Sequence, residues 1–183
     1  MSKLPSPANR ELIHTRAIKL NCYKRKDQLF DIEANIHDSK PFDTFSNDDN
    51  SRLAGEPIHD MWIRITIDKM FIIHNVEASM PTGAHHSCKP AIVAYDKLIG
   101  LKIGPGWLKK AKERINSVES CTHLTELLQQ IGTTAFQGMF GLSLRSDIMG
   151  AKRKPFASNL VNTCYGLKEG GFLDNKRKAM LSD

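Results

Sequence analysis

The feature that most constrains this chain is a period-two alternation of apolar and polar residues, met four times before the middle of the sequence. Over residues 14–24, Ile18, Leu20 and Cys22 alternate with Lys19, Asn21 and Tyr23. Over 30–36, Phe30, Ile32, Ala34 and Ile36 alternate with Asp31, Glu33 and Asn35. Successive side chains of a strand point to opposite faces, so each segment reads as a strand with one dry face and one wet one. Arg25-Lys26-Asp27-Gln28 supplies the turn. A second pair follows, with Ile63, Ile65 and Ile67 set against Trp62, Arg64 and Thr66, a turn at Asp68-Lys69 and a return over 72–78. Antiparallel hairpins of this kind bury one face and solvate the other, so the dry face needs a covering layer.

The second half of the chain provides it. Pro90 suits the first position of a helix through Ile92, Val93, Tyr95 and Leu98 that stops at Gly100. After the break at Gly104-Pro105-Gly106, residues 107–115 read as a short basic helix. Leu124, Leu127, Leu128 and Ile131, at helical spacing, mark a third helix opened by Cys121, with a break or bend expected near Gly132-Thr133-Thr134. The expected fold is α+β, an antiparallel sheet from two hairpins packed against two or three helices. Residues 1–13 read as a flexible N-terminus, 14–167 as a single domain and 168–183 as a polar tail. Between the hairpins, residues 39–56 lose the apolar pattern to Pro, Asp, Asn and Ser, and a loop of that length reads as mobile or as a lid over the His59 end of the second hairpin.

With 183 residues and 40% hydrophobic content, the chain can build a core without staples. It has no apolar run of membrane-spanning length and no apolar segment behind Met1-Ser2-Lys3, so a cytoplasmic protein with no membrane partner is expected. The four cysteines are widely spaced and form no C-x-x-C pair, which points to metal binding or reactivity rather than to a disulfide framework. The pattern assigns no role to Cys22 or Cys164. The net charge of +6 admits an acidic partner. Its denser clusters, Lys152-Arg153-Lys154 and Lys176-Arg177-Lys178, read as solvated tails, and the aromatics that would stack on bases are not interleaved with them, so nucleic-acid binding is not expected.

Donor residues gather at three junctions between elements. His59 and Asp60 stand at the entrance of the third strand, Cys88 lies with His85 and His86 ahead of the first helix, and Cys121 and His123 sit at the mouth of the long helix. A thiol in the first turn of a helix feels the positive end of the macrodipole, which favours the thiolate that binds a metal or attacks an electrophile. If these junctions converge, His59, Asp60, Cys88, Cys121 and His123 form a ligand set for zinc or an iron–sulfur centre. The plain alternative is a set of unrelated polar residues at element ends. A second chemistry would make Cys121 a nucleophile, with His123 or His59 as base and helix N–H groups holding an oxyanion. A third reading is a basic module for a partner or a nucleic acid. Phosphate-loop, dinucleotide-fingerprint, nucleophile-elbow and H-E-x-x-H signatures are all missing.

The segments Gly55-Glu56-Pro57-Ile58-His59-Asp60-Met61-Trp62, Cys88, Leu98-Ile99-Gly100-Leu101, Pro105-Gly106 and Cys121-Thr122-His123-Leu124-Thr125-Glu126-Leu127 together resemble a bacterial family of domains of unknown function, over about residues 14–167. That resemblance implies no activity. More distantly, the order of a strand hairpin, a Cys before a helix, a Leu-x-Gly and a later Cys opening the last long helix resembles the NifU and SufU scaffold domain, which hosts zinc or nascent iron–sulfur clusters. Here His59 stands in place of that type's first cysteine, and Asp60 follows it without the glycine, a set better suited to zinc or a mononuclear metal. The likeness implies an accessory or scaffold protein in metal or sulfur handling, carrying zinc or an iron–sulfur cluster and meeting a protein partner in the transfer.

Overall fold

A computed structural model describes residues 4, 5, 8–45, 51–143 and 160–182. The Lys152-Arg153-Lys154 cluster lies outside the described residues. The chain divides into two compact units, Met1–Met139 and Phe140–Asp183.

In the first unit, β1 (Thr15–Lys24), β2 (Phe30–Ser39), β3 (Pro57–Ile67) and β4 (Ile73–Thr82) form one antiparallel sheet in the order β1-β2-β3-β4. The α+β expectation holds. Gln28, at φ 69, turns the first hairpin. In the second turn the Asp68 carboxylate accepts the N–H groups of Met70 and Ile72, and Phe71 takes φ 64. The register sets Ile36 opposite Ile18 and Met61, and Ile32 opposite Cys22 and Ile65. The dry faces therefore merge, and Phe30, Ile32, Ala34, Ile36, Ile63 and Ile65 share one buried core.

The covering layer is a 3₁₀ helix (His86–Leu98), α1 (Trp107–Ile115) and α2 (Thr122–Ser143). The first of these departs from the sequence reading, since it starts at His86 and holds Pro90 inside it. Pro90 has no N–H to give, and the start has neither a side-chain cap nor an acidic first turn, so little favours α-helical entry at that point. Tyr95 and Leu98 are fully buried from this segment. The chain then runs along the outer edge of β4. The Ile73 N–H donates to the Leu101 carbonyl and the Gly100 N–H to the Ile73 carbonyl, both at 2.8 Å, which covers edge groups that would otherwise face solvent.

The long helix α2 is unbroken where a bend was expected. Leu124, Leu127, Leu128, Ile131 and Ala135 are all fully buried, and this continuous stripe carries the helix through Gly132. The glycine serves packing instead, because a Cβ there would lie 2.9 Å from Nε1 of the buried Trp107 on α1.

Residues 46–50 of the loop between the hairpins lie outside the described residues. Its two arms are knitted together. Thr44 and Arg52 exchange backbone hydrogen bonds at 2.8 and 2.9 Å, and the Ala54 N–H donates to the Asp43 carboxylate. In the second unit, the stretch read as a polar tail carries α3 (Phe172–Ser182), preceded by a short 3₁₀ turn, Tyr165–Leu167. There Asp174 accepts hydrogen bonds from Lys178, the Gly170 N–H and Arg177, which hold its carboxyl at about 2. Among the described residues, no helix is long and apolar enough to cross a membrane.

Replacing Gly132 by Ala separates helix propensity from packing. Alanine favours an isolated helix by about 1 kcal/mol, whereas overpacking against Trp107 costs about 1–3 kcal/mol. Urea unfolding of Gly132→Ala is therefore expected to show a net loss of stability. A stabilised variant would mean that the α1–α2 contact is looser than described.

Candidate metal centre

At one end of the core face, the alternation that places isoleucines inside places polar residues there instead. Arg16 on β1 lies opposite Asp38 on β2, and Asp38 lies opposite His59 on β3. Asp38 is completely buried. Arg16 grips both of its carboxylate oxygens, Nε and Nη2 each at 2.8 Å, and Nδ1 of His59 meets Oδ2 at 2.8 Å. His14 Nε2 approaches the same group at 3.6 Å. Burial alone would raise the Asp38 pKa. The hydrogen bonds from Arg16 and His59 outweigh it and bring the carboxyl to about 2. The third Arg16 nitrogen, Nη1, reaches Glu126 on α2 at 3.2 Å.

An ionised carboxylate can only accept, so His59 donates through Nδ1 and its Nε2 is left as the free ring nitrogen. The His123 ring lies over the His59 ring, with centroids 4.0 Å apart and the planes tilted by 38°. Burial holds the His123 imidazole below its ordinary value, and the neighbouring His59 and Arg16 act in the same direction.

Cys121 lies immediately before α2. Its carbonyl accepts the buried Tyr95 hydroxyl and the Thr125 N–H, which fix the helix mouth, and burial drives that tyrosine's pKa up to about 12. Its sulfur faces the core. Sγ lies 3.9 Å from Nδ1 of His123 and 3.6 Å from Sδ of Met61. Burial pushes the thiol up, and the N–H groups of Leu124 and His123 at the helix start pull part of the way back.

Of the sequence-derived candidates, His59 and His123 come together and Cys121 reaches His123, but the thiol and both imidazoles do not all lie within 4.8 Å of one another. Among the described residues, one group of three carboxylate, imidazole or thiol donors has its ligand atoms all within 4.8 Å of one another: Asp38, His59 and His123. Cys88 is half-buried and close enough for its charge to raise the Cys121 pKa. Asp60 is not at the site. Strand alternation turns it to the opposite face of the sheet, where it accepts from Asn35 Nδ2 at 2.8 Å and Trp62 Nε1 at 3.0 Å. All four cysteines are free, with Cys164 exposed in the second unit. Sequence reasoning missed Asp38, Arg16 and Met61. The signal was present: Asp38 continues the inward parity of Ile32, Ala34 and Ile36, and Met61 has the parity of His59.

The model of a family described as "Protein of unknown function (DUF2889)" matches residues 14–137, which include every residue of this site. The chain belongs to the DUF2889 family. Against curated proteins and solved structures it has no significant match. The distant likeness to NifU and SufU scaffolds thus gains no support, and for a DUF2889 member the chemistry has to be argued from the side chains themselves.

The pKa directions fix how this site responds to acid. Asp38 falls from 3.8 to about 2 in the folded chain, so its contribution is complete above pH 4 and is lost as pH drops toward 2. His123 is lowered from 6.5, so protonation favours the unfolded chain and stability begins to fall as pH drops below that value. Acid unfolding followed by circular dichroism should show both limbs. Asp38→Asn should lower the plateau and flatten the limb between pH 4 and 2, and an unchanged acid limb would remove Asp38 as its source.

Proposed function

We propose that this DUF2889 member is a metal-binding accessory protein that holds one transition-metal ion between β3 and the mouth of α2. The observation that carries the reading is the pair of imidazoles, His59 and His123, with ring centroids 4.0 Å apart, one of them backed by a buried carboxylate. A metal-bound histidine commonly gives its other ring nitrogen to a carboxylate that sets tautomer and orientation, and Asp38 stands in that position behind His59. A tetrahedral ion about 2.3 Å from sulfur and about 2.0 Å from nitrogen sets those donors about 3.6 Å apart. Cys121 Sγ and His123 Nδ1, at 3.9 Å, need to close by only a few tenths of an ångström. The chain's own residues would bind and orient the ion, while the ion would supply the positive charge that makes Cys121 a thiolate.

A mononuclear ion suits this donor set better than an iron–sulfur cluster, which is held mainly by thiolates. The physiological role that fits is metal or sulfur handling with a protein partner. The rival, a thiol enzyme with Cys121 as nucleophile and His123 as base, draws on the same 3.9 Å approach. It is disfavoured by the burial that keeps the thiol protonated and by the Sγ donation into Met61.

Metal-stripped full-length protein titrated with zinc in a calorimeter is expected to take up one equivalent. His59→Ala and His123→Ala should each weaken binding by about 100-fold or more. Metal should also protect Cys121 from alkylation and raise the melting temperature, because binding and folding are coupled. Wild-type protein that binds no transition metal would end this reading, and rapid alkylation of Cys121 in the same sample would favour the nucleophile.

A further inference from the structure

Two pairs of residues face each other at this centre, and each pair holds one nitrogen and one sulfur. His59 and Met61, two apart on β3, share its inward face. Cys121 and His123, two apart, flank the first residue of α2. The two pairs close onto one another through the stacked imidazoles at 4.0 Å and the Sγ···Sδ approach of 3.6 Å. Met61 is 1% exposed, and its thioether accepts the Cys121 thiol inside the protein.

This arrangement, which rests on the metal-binding reading above, leads to a choice of metal. We infer that the site is built for copper in the cuprous state, held by the Cys121 thiolate, the Met61 thioether and the imidazoles of His59 and His123, with the ion drawing the thiolate and the two rings closer than they stand, since these three do not all lie within 4.8 Å of one another. Zinc accepts thiolate, imidazole and carboxylate but has little use for a neutral thioether, whereas thiolate and thioether together are the soft donors that favour Cu(I). Two imidazoles, one thiolate and a weaker methionine sulfur also form the ligand combination of copper electron-transfer centres. The carboxylate at the site, a harder donor, is already engaged on both oxygens by Arg16 and on one by His59, which leaves it the role of holding His59 in place. Loading needs no change of oxidation state. Cu(I) enters, the Cys121 thiol gives up its proton to solvent, and no electron is transferred.

The test is an anaerobic competition in which reduced, metal-free full-length protein is titrated with Cu(I) against a chromogenic Cu(I) chelator, and with Zn(II) against a zinc indicator. Cu(I) should bind with one equivalent and at least about 100-fold more tightly than zinc. Met61→Leu keeps the volume of the side chain and should lower Cu(I) affinity about tenfold or more while leaving zinc affinity unchanged. X-ray absorption of the wild-type Cu(I) complex gives a readout independent of whether that variant folds. It should show two sulfur and two nitrogen neighbours, and the second sulfur should persist in Cys88→Ser. Preference for zinc with His59 and His123 still required, or a copper site with a single sulfur neighbour, would overturn the copper assignment and leave the metal site standing. Uptake of neither metal would overturn both.

Discussion

The Asp38 carboxylate, buried without exposure between two strands, is the constraint on which the rest of the site depends. A buried charge is tolerated only when it is paired and its lone pairs are filled. Arg16 fills them from one side and His59 from the other, so a single carboxylate ties β1, β2 and β3 together where the apolar core gives out. The same bonds dictate which ring nitrogen of His59 faces α2. Arg16 extends the link to α2 itself through Glu126. Orientation at the centre is thus inherited from an ion-pair network of the sheet.

The fold was legible because its signals are periodic. The isoleucine alternation gave both hairpins, although β2 and β4 run on to Ser39 and Thr82, beyond the expected ends at 36 and 78, and the leucine spacing located α2 without showing that Gly132 would be passed without a bend. That outcome depends on Trp107, which lies on another helix and is invisible to local pattern. The site was legible in part for the same reason. His59, Cys121 and His123 were found as donors at element ends, and the two ends meet. Asp60 adjoins His59 in sequence, but strand parity sends neighbours to opposite faces, and Asp60 pairs there with Asn35 and Trp62. Asp38 escaped notice because a carboxylate after an apolar run looks like a strand end, and only the cross-strand register reveals the arginine that makes its burial possible.

Cys121 bears on the balance between stability and chemistry. The residue before a helix is normally Ser, Thr, Asp or Asn, whose oxygen accepts the free N–H groups of the first turn. In this chain a sulfur takes that place, and the His123 and Leu124 N–H groups favour its thiolate. Sulfur is the weaker acceptor, so α2 starts with less than the best available cap. Departures from local preference tend to cluster where a side chain is wanted for another purpose, and the departure in this chain coincides with the imidazole pair and the Met61 sulfur.

The two-residue spacing on β3 has a consequence for how such a centre can change. Odd positions 59 and 61 deliver imidazole and thioether to the interior, and even positions 60 and 62 deliver carboxylate and indole to the opposite surface. A single inserted or deleted residue ahead of Pro57 that shifted the strand by one would exchange these sets wholesale, because strand parity has no intermediate value. The same shift would turn Ile63, Ile65 and Ile67 out of the core, so the inward set at positions 59 and 61 is held in place by the isoleucines that follow it on the strand.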